Sequence, residues 1–339
     1  MAQKGTPEAP RAPTIVPVLF ILALGIALPF VLTSGFHIRL AMLVWIYGIL
    51  CMGFNLLYGF SGQISLGQPA FYALGGYAFG MLQINLDWSP LLAFFGSLAF
   101  VGVLSLLIGL PLLRLRTHYL AMATLAFMLI QNGVANRWID FTGGSSGVAV
   151  PPLEWDGEQI GRIGIYFVVL ALAGIVLLLH DFLIRSHFGR AMQAIRDDET
   201  AAQALGVKVT RYKLAVLVLS SVAAAVAGVC FGITSLRVDP SLSEFHVLVT
   251  MLTIVVVGGL GTRFGPIIGA AIVVVLPQFL TEFGEYETVV YGLFILLFLL
   301  FLPHGLAGLL EKRNWFAARK EPETAAVENR PQALNGEAS

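Results

Sequence analysis

The sequence predicts an all-α polytopic membrane protein of about ten transmembrane segments, one of them glycine-rich and broken. Three observations carry that prediction. The 339 residues are 57% hydrophobic and 12% charged, with mean hydropathy +0.83. Soluble domains are about 45–50% apolar and about 25% charged, so lipid is the solvent this composition suits. Apolar runs of spanning length recur along the chain, and the basic residues between them alternate in density. With the N-terminus inside, sixteen Lys and Arg fall on inner segments and four on outer ones, the asymmetry that sets membrane orientation.

Residues 1–13 are a polar tail carrying Lys4 and Arg11. The first apolar run, from Ile15 to Leu32, exceeds the core of a signal peptide and is read as a retained span. Spans are placed at 14–34, 38–58, 62–82, 91–112, 117–136, 163–183, 213–236, 245–261, 265–281 and 287–309, since about 20 apolar residues cross about 30 Å of hydrocarbon. The membrane-spanning body thus covers 14–310, with its longest outer loop at 137–162 and its longest inner loop at 184–213. An even span count returns the C-terminus to the cytoplasm. The tail 311–339 is rich in Ala, Glu, Pro and Asn and is expected to be disordered. Acidic residues divide ten and ten between the two sides, as expected if only Lys and Arg set orientation. Net charge is zero, so nothing points to nucleic acid. Cys51 and Cys230 stand alone in apolar runs and suit burial rather than a disulfide framework or metal cluster.

The span at 62–82 is unusual. Gly59, Gly62, Gly67, Gly75, Gly76 and Gly80 crowd around it, with Pro69 inside. Each interior Gly costs a helix about 1 kcal/mol and Pro about 3, so a plain lipid-facing helix has no use for them. Either small residues let helices approach closely, or the helix breaks near Gly67–Pro69 and turns backbone groups toward a cavity. Ser61, Gln63, Ser65 and Gln68 favour some cavity lining, and Pro69 suits the first position of a new half-helix. A second cluster, Gly258, Gly259, Gly261, Gly265 and Gly269, brackets Arg263 and reads as a tight turn between packed helices.

In the inner loop, Ser186 can cap a helix beginning near Phe188, and Gly206 can end it in the left-handed conformation. About four turns of one helix are expected between them. Met192, Ile195, Ala202 and Leu205 fall near one side, while Arg190, Arg196, Asp197, Asp198 and Glu199 occupy much of the rest. Such a thin, charged helix is either a solvated connector or a piece that enters a partner's groove. The sequence contains no G-x-x-x-x-G-K-[ST] and no Gly-Lys pair, so it holds no P-loop for ATP. A motor would therefore have to be a partner.

The stretch FGRAMQAIRDDETAAQALGVKVTRYKL resembles the coupling loop of permease subunits of branched-chain amino-acid ABC importers. The family pattern A-x-x-A-I-R-D-[DE]-E-x-A-A-x-x-x-G is met by Ala191, Ala194, Ile195, Arg196, Asp197, Asp198, Glu199, Ala201, Ala202 and Gly206. FNLLYGFSGQISLGQPAFYALGGYA resembles a second family segment, with Gly76 where Ala is usual. VVVGGLGTRFGPIIGAAIV and LFLPHGLAGLL resemble two more, with His304 in place of the commoner Arg. The likeness covers roughly 40 to 310.

The resemblance implies an ABC-importer permease fold in a bacterial inner membrane, with both termini cytoplasmic. It implies a homologous second permease subunit, two ABC ATPase subunits and a periplasmic substrate-binding protein as partners. This chain would bind no cofactor, and ATP and Mg would belong to the ATPases. Arg190, Ala194, Arg196, Asp197, Asp198, Glu199, Ala202 and Gly206 would couple to the ATPase. Gln63, Ser65, Gly67 and Gln68 are expected along the translocation path, where the positive end of a half-helix can face a carboxylate.

In the outer loop, Thr142, Gly143 and Gly144 open a TGGSSG turn and are expected to contact the binding protein. Successive amides there can also form an anion-binding nest. The six histidines show no ligand spacing, and no proton relay or buried acid suggests ion coupling. Related machinery carrying urea, short amides or aromatic acids, and an ion-coupled secondary transporter, stand as alternatives. A membrane enzyme ranks last, because no paired carboxylates, metal ligands or activated nucleophile converge.

Overall fold

The computed structural model describes residues 15–32, 34–113, 115, 117–155, 158–280, 289, 292–294, 296, 298, 300 and 305–307. The two tails, 1–13 and 311–339, together with Arg114, Arg116 and most of the expected span 287–309, lie outside the described residues.

Twelve helices follow in order: α1 (Ile15–Val31), α2 (Gly35–Asn55), α3 (Gln68–Leu86), α4 (Pro90–Leu112), α5 (Thr117–Arg137), α6 (Ile139–Thr142), α7 (Arg162–Arg185), α8 (His187–Asp197), α9 (Glu199–Ala204), α10 (Val209–Ser235), α11 (Phe245–Gly258) and α12 (Gly265–Leu280). Among the described residues, four are long and apolar enough to cross a membrane by themselves: α2 continued to Phe60, α4, α7 and α10. The chain is a multi-pass membrane protein, as its composition predicts. The expected spans at 245–261 and 265–281 are shorter in the structure, with 14 and 16 helical residues. At 1.5 Å per residue they reach only about 21 and 24 Å. They lie antiparallel, with Gly258 against Gly265 and Gly269 at the turn.

Helix α4 shows how lipid shapes a span. Ala93, Ser97, Val101, Ser105 and Gly109 recur every four residues and are its buried side. Leu92, Phe95, Phe100, Val103, Leu107 and Leu110 are exposed. A narrow stripe of small residues lets the helix come close to its neighbours while large side chains meet the lipid. Hydroxyls inside the bundle bond to their own helix: Ser97 to Phe94 O, Ser105 to Gly102 O and Ser221 to Leu217 O. With no water to take them, these donors would otherwise be orphaned.

Helices α2, α3 and α10 form the centre. Helix α3 packs on α10, α4 and α5, and α2 packs on α10, α12 and α7. The α3–α10 seam is made by glycine. A Cβ at Gly228 would stand 2.9 Å from the Gly76 nitrogen, and one at Gly76 would stand 2.9 Å from the Gly228 carbonyl. Gly75 meets Ala225 in the same seam. At the other side of the bundle, Trp45 Nε1 donates to the Tyr166 hydroxyl at 3.1 Å, which donates to Gly25 O at 2.7 Å. One buried hydrogen-bonded chain therefore ties α1, α2 and α7.

The two ends differ. At one end the 137–162 loop is strapped to the α10–α11 link, with Val148 opposite Val238 and Ala149 opposite Arg237 in an antiparallel pair. Val150 N extends it by bonding Leu236 O at 2.9 Å. The opposite end gathers residues 55–63, Leu113, Leu115, 184–213 and 259–265, and is the basic end of the charge asymmetry.

Candidate coupling site and polar chamber

The loop after α7 turns sharply at Ser186, whose Oγ accepts from Phe188 N at 3.1 Å and Gly189 N at 3.4 Å. Helix α8 thus starts as its cap dictates. The expected single helix to Leu205 is broken. Asp198 sits at φ −156° and ψ 110°, and its carboxylate accepts from Thr200 N at 2.8 Å and Ala201 N at 3.0 Å. Acidic side chains bond readily to amides two and three residues ahead, so this residue ends α8 and caps α9. Asp198 therefore shapes the loop, and its carboxylate is occupied within it. Gly206 closes α9 at φ +86°, as expected.

The apolar residues of the loop pack on this chain's own spans. Met192 joins Leu56, Leu57, Phe60, Ile184, Val216 and Leu217. Ile195 and Ala202 pack with Val209, Val207 and Tyr212. Ala202 is 2% exposed and cannot touch a partner from that position. Leu205 departs from the expected apolar side: it is 84% exposed at the tip, because the break at Asp198 starts a separate short helix whose buried residue is Ala202. The face turned outward carries Arg190, Ala194, Asp197, Glu199, Thr200 and Leu205. Lys213 Nζ holds the Glu199 carboxylate at 2.6 Å and fastens α9 to the start of α10. Arg190 lies 2.6 Å from His187 Nδ1, and Arg185 pairs with Asp181 at 2.8 Å. Sequence reasoning named neither Lys213 nor Arg185 as a partner, since only the fold brings the first to Glu199. Arg196 reaches the other way, donating from Nη1 to the carbonyl of Gly59.

Beneath this loop, α2 does not simply end. Residues Leu56–Phe60 form a π turn, Ser61 N bonds Leu56 O at 3.2 Å, and Gln63 N bonds Leu57 O at 3.0 Å. Residues 62–67 then run without helix, and Leu66 N bonds the Thr124 hydroxyl of α5 at 2.9 Å. Helix α3 begins at Gln68 with Pro69 in its first turn. The glycines thus serve both roles their spacing allowed. Gly62, at φ +68°, and Gly67 belong to the break, and Gly75, Gly76 and Gly80 to close packing.

Gln63, Ser65 and Gln68 are buried, and their side-chain polar atoms have no hydrogen-bond partner among the described residues. An unpartnered buried polar group costs about 1–3 kcal/mol. Gln63 and Ser65 lie in the non-helical stretch and Gln68 opens α3, whose start has no side-chain cap. A cavity of about 200 Å³ lies between Ser61–Gln63, Leu113, Leu115, Leu120, Ile195–Glu199 and Lys213. It lies beside the contacts that fix α8 to the spans.

At the opposite end, Thr142 is buried, and its one hydroxyl proton is shared between Ala135 O at 2.6 Å and Trp138 O at 2.8 Å. Gly144 N bonds the Thr142 hydroxyl at 3.3 Å. The amides of Gly143, Ser146 and Gly147 bond the carbonyls of Ile139, Gly143 and Gly144. These amides are spent inside the turn and leave no open anion nest. Thr142, Gly143 and Gly144 hold the turn, and Ser145 and Ser146 are its exposed residues. Among the described residues, no three His, Cys, Asp or Glu side chains gather as a metal site.

The profile of the family described as branched-chain amino acid transport system, permease component, matches residues 36–302. The chain belongs to this permease family. The permease is 32% identical over 325 residues to the high-affinity branched-chain amino acid transport system permease protein LivM of Salmonella typhimurium, covering 86% of this chain and 75% of that one. It is 32% identical to LivM of Escherichia coli K12, covering 84% and 73%. To LivH of the same E. coli strain it is 26% identical, covering 77% of the permease and 91% of LivH. No solved structure matches the permease. Both the α8–α9 loop and the broken segment before α3 lie inside the matched region.

Proposed function

We propose that this permease is one of two membrane subunits of an ATP-driven importer that moves branched-chain amino acids into the cytoplasm by alternating access. The observation that carries the reading is the α8–α9 loop. Its apolar residues are fixed to the spans, and its small and charged face stands free at the basic end, in a chain whose sequence has no P-loop. The reading places the basic end in the cytoplasm of a bacterial inner membrane, against a pair of ATPase subunits that hold Mg and ATP. A homologous permease completes the membrane pair, and a soluble binding protein delivers cargo at the opposite end, over the turn held by Thr142, Gly143 and Gly144. Arg190, Ala194, Asp197 and Glu199 form the docking face, with Asp198 and Gly206 shaping it.

Gln63, Ser65, Gly67 and Gln68 line the translocation path. What supports this is their burial without partners at the start of α3, where the helix dipole favours a carboxylate. An amino acid supplies that carboxylate and an apolar side chain. The test is leucine uptake by proteoliposomes holding the whole complex and its binding protein. Uptake should vanish with an ATPase-dead partner, and uptake that persists would defeat the importer reading. Gln63→Ala and Ser65→Ala should lower uptake with ATP hydrolysis retained; normal uptake in both would remove these residues from the path. Binding of another small solute by the cognate binding protein, without leucine, would change the cargo and leave the mechanism standing.

A further inference from the structure

The coupling loop meets the spans at one polar joint inside the basic end. The π turn Leu56–Phe60 closes α2, so its last carbonyls face out of the helix with no amide ahead of them. Arg196 Nη1 donates to one of these, Gly59 O. A guanidinium at the negative end of a helix gains both a charge-assisted bond and the dipole. One turn earlier, Asn55 is fully buried, and its amide is used on both sides. Nδ2 donates to Thr262 O at 2.8 Å, and Oδ1 accepts from Gly261 N at 2.9 Å.

The same turn touches Arg196 directly. A Cβ at Gly261 would stand 2.9 Å from Arg196 Nη1 and 3.1 Å from Gly59 O, at φ +71°. A Cβ at Gly59 would stand 2.6 Å from Gly261 N. Gly305, in the described part of the last segment, closes on Gly259 of that turn. Four pieces of chain therefore converge: α8 through Arg196, α2 through Gly59 and Asn55, and the α11–α12 turn through Gly261 and Thr262, with residue 305 behind it. π turns inside helices are rare and gather at working sites. Here the turn supplies the free carbonyl that Arg196 takes.

We infer that Arg196 is a positioning residue whose bond to the π turn, backed by Asn55, carries the displacement of α8 into α2 and the α11–α12 pair. This rests on the importer reading, and it gives Arg196, which is exposed on the loop, an inward contact as well as a place on the docking side. Asn55 cannot touch any ATPase, so a loss of coupling at Asn55 separates transmission from docking.

The experiment uses the assembled transporter in proteoliposomes. It measures ATPase co-purified with the permease, ATP hydrolysed, and leucine moved per ATP. Arg196→Ala and Asn55→Ala should each keep the ATPase attached and hydrolysing, and should lower leucine moved per ATP by about tenfold, within the usual range of coupling energies. The double variant should lose little beyond either single one, because both break one path. Arg196→Lys keeps a cationic donor and should recover part of the ratio. Asn55→Asp keeps the acceptor for Gly261 N and loses the donor to Thr262 O, and serves if Asn55→Ala fails to assemble. The joint is overturned if Arg196→Ala stays within about twofold of wild type, if it releases the ATPase, or if the two losses multiply. Wild-type uptake that needs no hydrolysis would defeat the importer reading, and the joint with it.

Discussion

Gly228 occupies the tightest place in the bundle, with the Tyr72 carbonyl and the Gly76 nitrogen where a side chain would begin. Its neighbours are backbone atoms, which cannot swing aside as a flexible side chain can. Gly228→Leu should destabilise the permease by about 1–3 kcal/mol or more, read as a lower melting temperature in detergent with the ATPase absent. An unchanged melting temperature would show that α3 and α10 separate freely. Asp198 has a different kind of importance. Asp198→Ala removes the cap of α9 and should cost that helix about 1 kcal/mol. Asp198→Asn, which keeps an acceptor oxygen, should retain most of it. Amide exchange in the segment 199–205 distinguishes the two, since only the alanine variant should speed it.

At the scale of elements, the α8–α9 pair presents a surface that its apolar pattern alone does not describe. Leu205 stands exposed at the tip beyond Asp198. Leu205→Asp should weaken attachment of the ATPase about tenfold, which is ~1.4 kcal/mol, while membrane insertion is unchanged. Ala194→Asp, on the exposed side of α8, should act in the same direction. Normal co-purification of the ATPase with both variants would remove this face from the docking surface.

The spans were readable because lipid demands long apolar runs, and the cap at Ser186, the left-handed Gly206 and the break before Pro69 were readable from local chemistry. The kink at Asp198 was not, because a run of one acid after another looks like a helix surface until one carboxylate turns back on the amides ahead. Nor was Asn55 readable: it lies inside an apolar run, and its partners are 206 and 207 residues away. Leu205 left the apolar side expected of it because of the kink, while Ala202 kept that side and so lies too deep to meet a partner.

At the scale of the whole molecule, the basic end and the strapped end should face opposite sides of the membrane. Gln203→Cys and Ser145→Cys place thiols at exposed positions at the two ends. Cys51 and Cys230 are buried, so a membrane-impermeant thiol reagent should be silent toward the parent protein. Applied to sealed right-side-out vesicles, it should label Ser145→Cys at once and Gln203→Cys only after the vesicles are opened. The reverse pattern would invert the topology, and labelling of both in sealed vesicles would refute a bundle that separates the two ends.

The glycine seam between α3 and α10 has a consequence for how such a transporter adapts. Two helices in backbone contact behave as one slab, so α3 between Tyr72 and Gly76 cannot shift without α10. The short stretch 62–67 has backbone-to-backbone bonds to the helices only at its ends, Gln63 N to Leu57 O and Ala70 N to Gly67 O, and its Gln63 and Ser65 are buried. On the importer reading, a change of cargo is therefore cheapest at Gln63 and Ser65, since Gly62 stands at φ +68° and a side chain at Gly67 would begin 3.0 Å from Thr124 O.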